Sequence, residues 1–471
     1  MIGPLAARSL NYVLLVTWER RLRRHTSFGY SHSKQLVSVP TPPPYAQLVT
    51  SLDSPAVESA KNYRMSPREV LTFISAVMAL TALAIDLMLP AFSDIREAFE
   101  LGEDSNDTAQ IITVFFFGLA AAHLVYGPMA DRFGRKPVLY LGIGIYIAGA
   151  VGSALAPSFG VLLISRFVWG IGAAGSRVVA TAIIRDRFEG VAMAKAMSQV
   201  MAVFLLVPVF APSVGALIIL VLPWRGVFWF CVVSAVALTL WSLRMRETLA
   251  VEDRREITAS ATLAGYLEVA RTPITFGYTM SSVFLQGIMT VYLSTIDLIT
   301  SEFFDRESQF PLIFGAVGIL FGIAAIVNGR IIERLGIDAV VNRVFTVQLV
   351  LLPVLVFITL SSGGRPEFWL FMPTIGLLLG SLVFLMPNLN SAAMEPVGHI
   401  AGTAAALTGA VRIAAGAAIG GLLASTVDDS LSWLVVGIAG MFLGTSLSVG
   451  LVRRGLRHRF PERTKSTAPL V

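Results

Sequence analysis

Residues 127–140 read GPMADRFGRKPVLY and place four charged side chains between two segments that contain almost none. These charges belong to Asp131, Arg132, Arg135 and Lys136. Because the segments on both sides are long and apolar, the charged stretch is interpreted as a short loop between two helices. The length of the apolar segments then decides the fold class.

The rest of the chain is too apolar for a soluble globular protein. Of its 471 residues, 55% are hydrophobic and 14% are charged, and the mean hydropathy is +0.73. Runs of about 20 apolar residues, the length with which a helix crosses a bilayer, recur along the chain. The sequence predicts about twelve such transmembrane helices, at residues 70–92, 108–130, 138–156, 159–184, 197–222, 226–243, 276–300, 312–327, 345–360, 368–387, 402–427 and 431–452. The predicted fold is an all-α polytopic membrane protein.

The charges indicate membrane topology rather than nucleic-acid binding. The net charge is +6 and the pI is near 9.6, but nucleic-acid binding needs basic residues gathered on one soluble face. Here they lie in alternate loops, namely Arg132, Arg135, Lys136, Arg185, Arg187, Lys195, Arg244, Arg246, Arg254, Arg255, Arg330, Arg334, Arg343, Arg453, Arg454, Arg457 and Arg459. The intervening loops carry Glu100, Glu103, Asp104, Asp107, Glu302, Asp305, Glu307, Asp428 and Asp429. The positive-inside rule therefore places both termini in the cytoplasm.

The predicted helices divide into two sets of six around the polar residues 244–273. The expected organisation is an N-terminal extension (1–64), an N-terminal six-helix bundle (65–243), a cytoplasmic linker (244–273), a C-terminal six-helix bundle (274–452) and a basic cytoplasmic tail (453–471). The second half repeats the charged loop, because Gly329, Glu333, Arg334, Leu335 and Gly336 share the spacing of Gly127, Asp131, Arg132, Phe133 and Gly134. We therefore expect two pseudo-symmetric bundles.

The charged loop has the residue types of a latch between helices. Gly127 and Gly134 permit a tight turn and close helix approach, and Pro128 and Pro137 interrupt helices. The charges can bond helix ends and each other. We use "latch" for the set Gly127, Asp131, Arg132, Gly134, Arg135 and Lys136. A merely solvated basic loop would explain single charges of this set but not the whole pattern.

Several stretches resemble one transporter family. GPMADRFGRKP is similar to the loop signature of the major facilitator superfamily, and the similarity covers residues 65–459. AIDLMLPAF (84–92), SRFVWGIGAAGSRVVATAIIRD (165–186) and VPVFAPSVGALI (207–218) resemble helix motifs of drug:proton antiporters with twelve helices. PNLNSAAMEPVGHIAGTAAAL (387–407) resembles the Bcr/CflA drug-resistance branch. The resemblance implies an inner-membrane exporter of drug-like small molecules that works by alternating access. We expect a monomer that uses the proton gradient and needs no cofactor or metal.

Ionisable residues within the spans normally face a cavity or a partner. Asp86 and Arg166 share a depth of roughly 10 Å below the outer face. The resemblance implies that their helices line the central cavity, so the acid and the base are expected to meet there. Beside Arg166 the Asp86 carboxyl would stay ionised, whereas alone in a desolvated pocket it would take up a proton and couple protons to substrate. Structural roles remain the alternative for both residues.

A second layer of ionisable residues is predicted deeper in the bundle. His123 and Arg177 share a depth on the cytoplasmic side, and Arg412 lies near the midplane. A histidine titrates near neutral pH, although a packing role is the alternative for His123. Arg412 either contacts substrate or pairs structurally. The excess of arginines over acids favours neutral or anionic substrates.

The fifth predicted helix contains Pro208, Pro212 and Gly215, which bend or weaken it. The resemblance implies that this kink biases the protein toward antiport. Ala211 and Ala216 depart from the strictest form of the family motif.

The sequence does not favour an enzyme. It lacks HExxH, CxxC and GxSxG motifs, and Cys231 is its single cysteine. The stretch GIGAAG (170–175) formally matches a dinucleotide-binding fingerprint but lies inside an apolar helix, where its glycines serve close packing. A dedicated transporter of one metabolite and a non-transporting membrane sensor remain alternatives.

The N-terminal extension has no resemblance to the family. Its apolar piece LNYVLLVTW is too short to span a bilayer, and its arginines follow rather than precede it, unlike in a signal peptide. Because Met65 would make a normal start, we expect either a misassigned start or a disordered tail.

Overall fold

The computed structural model describes residues 65–102, 107–254, 259–427 and 430–459, and within these ranges the chain is helical and contains no strand. Several predictions lie outside the described residues or their side chains, namely those on residues 1–64 and 460–471, Glu103, Asp104, Arg255, Asp428, Asp429, Arg457 and Arg459.

The described α-helices are numbered in chain order. They are α1 (Pro67–Asp86), α2 (Phe92–Ala98), α3 (Ala109–Phe133), α4 (Arg135–Ala154), α5 (Phe159–Arg187), α6 (Gly190–Val221), α7 (Gly226–Ser242), α8 (Ala259–Arg271), α9 (Pro273–Leu298), α10 (Phe310–Leu335), α11 (Ile337–Ser361), α12 (Phe368–Met394), α13 (Ala401–Ala424) and α14 (Ser432–Arg459).

The predicted spans each have a helix in the structure. By length and composition, 10 helical segments of the described chain are able to cross a membrane. One of them, Phe368–Ala424, contains both α12 and α13, which the 3₁₀ segment Glu395–Ile400 joins. Helix α7 is apolar but shorter, with 17 residues. The prediction of an all-α polytopic membrane protein is confirmed.

Several helices extend beyond the predicted apolar spans, for example α11. This helix begins at Ile337, whereas its apolar run was predicted to begin at residue 345. Its first two turns contain Asp338, Asn342 and Arg343, and Asp338 accepts a hydrogen bond from the Arg453 guanidinium at 2.7 Å. An apolar run therefore marks the hydrocarbon part of a helix and not its ends.

Glycines let the helices of the first half approach closely. A methyl group added to Gly172 of α5 would lie 2.1 Å from the Tyr146 nitrogen of α4, and one on Gly170 would lie 2.1 Å from the Phe115 oxygen of α3. Only a residue without a side chain fits at such distances. The glycines of the GIGAAG stretch thus serve helix packing, as predicted.

The turn after α3 is repeated after α10. Gly134 has φ 99° and ψ 163°, and Gly336 has φ 76° and ψ 163°. A positive φ is a conformation that favours glycine. We call the end of the bundle that holds these two turns the basic face. The opposite end, with Glu100, Glu302 and Asp305, is the acidic face.

Helix α8, within the predicted linker, connects the two halves at the basic face. Its Val269 is buried against Val397 and Ala404 of the second half. Toward the first half, the Tyr266 hydroxyl donates to the Leu124 carbonyl of α3 at 2.9 Å. Partial burial raises the pKa of Tyr266, so the hydroxyl stays a hydrogen-bond donor at neutral pH.

Candidate functional site

Four polar side chains from both halves meet in the middle of the bundle. They are His123 of α3, Arg177 of α5, Gln286 of α9 and Arg412 of α13. At 1.5 Å per residue, each lies roughly 15–20 Å from the basic-face end of its helix. We call these four residues the central layer. It contains the predicted His123, Arg177 and Arg412, while Gln286 was not predicted.

The contacts of the central layer join α9 and α13. Arg412 donates from Nη1 to Oε1 of Gln286 at 2.9 Å. Gly416, one turn further along α13, lets the helices approach, because a methyl group there would lie 2.6 Å from Cβ of Gln286. Arg177 places its guanidinium 5.3 Å from the centre of the Phe204 ring of α6.

His123 has a defined hydrogen bond within its own helix. Its Nδ1 lies 2.9 Å from the Leu119 carbonyl. Since a carbonyl only accepts hydrogen bonds, Nδ1 carries the proton. The ring also lies beside Gly409 of α13, where an added methyl group would be 3.4 Å away. His123 therefore contacts the second half from the first.

The central layer carries positive charge without a matching acid. His123 and Arg412 each interact electrostatically with Arg177. Among the described residues, no carboxylate forms a hydrogen bond or ion pair with either arginine. The layer is thus suited to an electron-rich or anionic group.

Asp86 is a second, separate site between the halves. It is the last residue of α1 and is 4% exposed. Within the described chain its carboxylate has no hydrogen bond or ion pair. It lies close enough to Tyr292 of α9 to interact electrostatically, and the Tyr292 hydroxyl itself has no hydrogen-bond partner among the described residues. Asp86 therefore faces the second half.

The predicted meeting of Asp86 and Arg166 is wrong for this conformation. Arg166 is fully buried and donates from Nη1 to the Ala84 carbonyl at 2.9 Å and from Nε to the Ile111 carbonyl at 3.4 Å. It also lies between two aromatic rings, those of Phe115 and Trp169. Arg166 thus binds the backbone of α1, and no contact between its side chain and that of Asp86 is found among the described residues.

An ion pair that the sequence analysis did not predict joins the halves near the acidic face. Nη2 of Arg96, on α2, lies 3.5 Å from a carboxylate oxygen of Asp297, on α9. Both side chains are buried, 9% and 5% exposed. Asp297 lies inside the predicted span 276–300, so the rule for intramembrane acids, applied to that span, would have identified it.

The latch forms a network of hydrogen bonds within the first half and with the start of the predicted linker. Arg135 donates to Asp131 at 2.6 Å and to Asp186, at the end of α5, at 2.8 Å. The Glu247 carboxylate accepts the backbone N–H groups of Arg135 at 2.8 Å and Lys136 at 3.0 Å. Lys136 also donates to the Met245 carbonyl. The turn thus connects α3, α4 and α5 with the segment that follows α7, and Asp186 and Glu247 complete it.

Some residues of the predicted latch are not part of this network. Arg132 is exposed and contacts the ring of the adjacent Phe133. Gly127 has no atom within 4 Å of an added methyl group, so it does not serve close helix approach. Pro128 does not end the helix, since α3 continues to Phe133.

The fifth-helix motif lies against the Asp86 site. Helix α6 is continuous from Gly190 to Val221 and contains Pro208 and Pro212. Gly215 packs on the end of α1, because a methyl group there would lie 2.0 Å from the Leu87 carbonyl oxygen. Leu87 directly follows Asp86, so a shift of α6 acts on the backbone next to this acid.

Comparison with known proteins identifies relatives along most of the chain. The sequence profile described as Major Facilitator Superfamily matches residues 73–421. The chain is 27% identical over 353 residues to the Bicyclomycin resistance protein homolog of Haemophilus influenzae, covering 74% of this chain and 87% of that protein. It is 35% identical over 170 residues to the Multidrug resistance protein MdtL of Escherichia coli, covering 35% of this chain and 44% of that protein.

The fold is similar to that of a solved transporter. The D-xylose-proton symporter superposes with a TM-score of 0.62 at 14% sequence identity, covering 80% of this chain and 95% of that chain. At this identity the likeness concerns the fold alone.

Proposed function

Because the chain belongs to the major facilitator superfamily, we propose that it exports drug-like small molecules across the membrane in exchange for protons. Relatives with 27% and 35% identity are named for resistance to bicyclomycin and to multiple drugs. We propose transport rather than catalysis. We further propose that the protein is a monomer in the inner membrane, with the basic face and both termini in the cytoplasm.

The observation that carries this proposal is the composition of the central layer. His123 and Arg177 come from the first half, whereas Gln286 and Arg412 come from the second. A substrate bound among these side chains contacts both halves at once. When the halves rock against each other, the layer becomes accessible from one face and then from the other, which is alternating access.

Asp86 is the proposed site of proton coupling. A carboxyl group that is buried, has no partner in the described chain and faces the opposite half can hold a proton in one conformation and release it in another. In the proposed cycle Asp86 accepts a proton from the outer side after the substrate has left. It releases this proton to the cytoplasmic side when the next substrate binds. The contact of Gly215 with Leu87 links this exchange to movement of α6.

A resistance assay tests the proposed export. The full chain is expressed in a bacterial host that lacks its own efflux pumps, and growth is measured against bicyclomycin and several structurally unrelated antibiotics. We expect higher inhibitory concentrations for several compounds, because a relative that is 35% identical over 170 residues is named for multidrug resistance. The matched control is Asp86→Asn at an equal amount of membrane protein, which should give no protection.

Other outcomes would contradict the proposal in distinguishable ways. Protection against a single compound would indicate a dedicated transporter. Wild-type protein that is present in the membrane and protects against none of the compounds would favour a sensor without transport.

A further inference from the structure

We propose that the central layer contains a binding site for an anionic group of the substrate, held between Arg177 and Arg412. The inference rests on the proposed function, since it names the chemical class of the transported molecule. The group is an oxygen anion such as a carboxylate, and its carrier is an aromatic or otherwise apolar organic molecule.

The first argument is the absence of a compensating charge in the described chain. Arg177 and Arg412 are close enough to interact electrostatically, and His123, which interacts with both, packs beside Gly409 about one turn before Arg412. Two like charges in a weakly solvated place repel each other, and this arrangement is costly unless an anion joins them. The arginines that are buried rather than partly exposed have partners: Arg96 pairs with Asp297, Arg135 with Asp131 and Asp186, and Arg166 with two backbone carbonyls. Among the described residues the two central arginines have no acidic partner, unlike Arg96 and Arg135, and no backbone carbonyl partner, unlike Arg166.

The second argument is the number of free donors. A guanidinium group has five N–H donors in a planar fork. Arg412 donates from Nη1 to Gln286, and no hydrogen bond from the Arg177 side chain to another described residue is found. Both residues are partly exposed rather than sealed in the protein. Their remaining N–H groups are therefore accessible to a carboxylate, which guanidinium groups bind with two parallel hydrogen bonds.

The third argument concerns the body of the ligand. The Phe204 ring lies 5.3 Å from the Arg177 guanidinium and is partly exposed. An aromatic ligand can stack on such a ring while its carboxylate reaches the arginine. Small inorganic anions gain nothing from this ring, so the geometry favours an aromatic carboxylate over phosphate or chloride.

The arginines belong to opposite halves of the bundle, which gives the anion a conformational effect. Arg177 lies on α5 and Arg412 on α13. An anion between them replaces repulsion with two attractions and therefore favours the conformation in which the halves are close. The substrate would thus promote its own enclosure.

The test compares two probes of nearly the same size and shape, of which one is anionic and the other neutral. The purified full chain is placed in lipid nanodiscs at low ionic strength, where charge interactions are weakly screened. Binding of naphthoate and of its neutral amide, naphthamide, is measured by calorimetry. We expect the wild type to bind naphthoate roughly tenfold or more tightly than naphthamide. Arg177→Gln and Arg412→Gln should each lose this preference.

The matched control is Arg343→Gln, which removes the same charge from an exposed position on α11. This variant should keep the wild-type preference. Unchanged binding of naphthamide in the two central variants shows that they are folded, so their loss of preference reports on charge recognition.

Three results would overturn the inference. The first is that the wild type binds the two probes with equal affinity. The second is that both central variants keep the preference for naphthoate. The third is that inorganic phosphate at equal concentration displaces naphthoate, which would indicate a general small-anion site. The resistance assay separates this inference from the proposed function. Protection without naphthoate preference overturns the anion site alone, whereas preference without protection overturns the export proposal alone.

Discussion

Replacement of Asp297 by asparagine is expected to open the acidic face. The Asp297 carboxylate lies 3.5 Å from Arg96, and this buried pair joins the first half to the second. Nη1 of Arg96 and the paired oxygen of Asp297 have no hydrogen-bond partner among the described residues. Each charge thus depends on the other for compensation.

The burial of both partners determines the size of this effect. Removing one partner of a buried ion pair costs about 3–5 kcal/mol, because the remaining charge stays buried and uncompensated. If the acidic face opens, water solvates Arg96 and relieves this cost. A difference of about 3 kcal/mol changes the ratio of closed to open molecules roughly a hundredfold. Replacement of both residues, as Arg96→Met with Asp297→Leu, leaves no buried charge and should restore closure.

Pulsed electron paramagnetic resonance measures this change directly. Spin labels at Leu155, after α4, and Ser425, after α13, report on the acidic face from the two halves, and both positions are exposed. Cys231 is buried and does not compete for label. Asp297→Asn should shift the distances to longer values, and the double variant should resemble the wild type. An unchanged distribution in Asp297→Asn would refute the role of the pair.

Two further predictions concern the latch and the fifth-helix motif. Asp131→Asn should lower transport without changing the amount of protein in the membrane, because Arg135 loses a hydrogen-bond acceptor at 2.6 Å. Wild-type flux in this variant would contradict the latch. Gly215→Ala should lower both Tm and transport, since the methyl group would lie 2.0 Å from a backbone oxygen. Gly144→Ala, whose methyl group has no atom within 4 Å, is the matched control, and equal Tm values for the two variants would count against the contact.

The sequence predicted the helices and the repeated turn because these depend on local features. An apolar run of sufficient length predicts a spanning helix wherever it lies in the fold. The spacing of Gly134 and Gly336 with their neighbours predicted the repeat, and both residues have the positive φ that the turn requires. The resemblance of the charged loop to one superfamily was confirmed by the match over residues 73–421.

The arrangement of side chains around each helix could not be predicted in the same way. Sequence position gives the depth of a residue in the membrane but not the neighbour that it faces. Arg166 therefore has the predicted depth near Asp86 and yet binds the carbonyl of Ala84. Glu247 shows the same limit, because no feature of the sequence distinguishes it from the other acids of the polar linker. Only the fold brings its carboxylate to the turn at Gly134.

The proposed proton coupling is tested most directly by measuring substrate-induced proton release from Asp86 variants in proteoliposomes. Asparagine keeps the size and hydrogen bonding of the side chain but cannot exchange a proton. The wild type should release protons when substrate is added and should accumulate substrate when only a pH difference is imposed. Asp86→Asn should do neither, even if it still binds substrate. Accumulation by Asp86→Asn at the wild-type rate under the same pH difference would contradict the account.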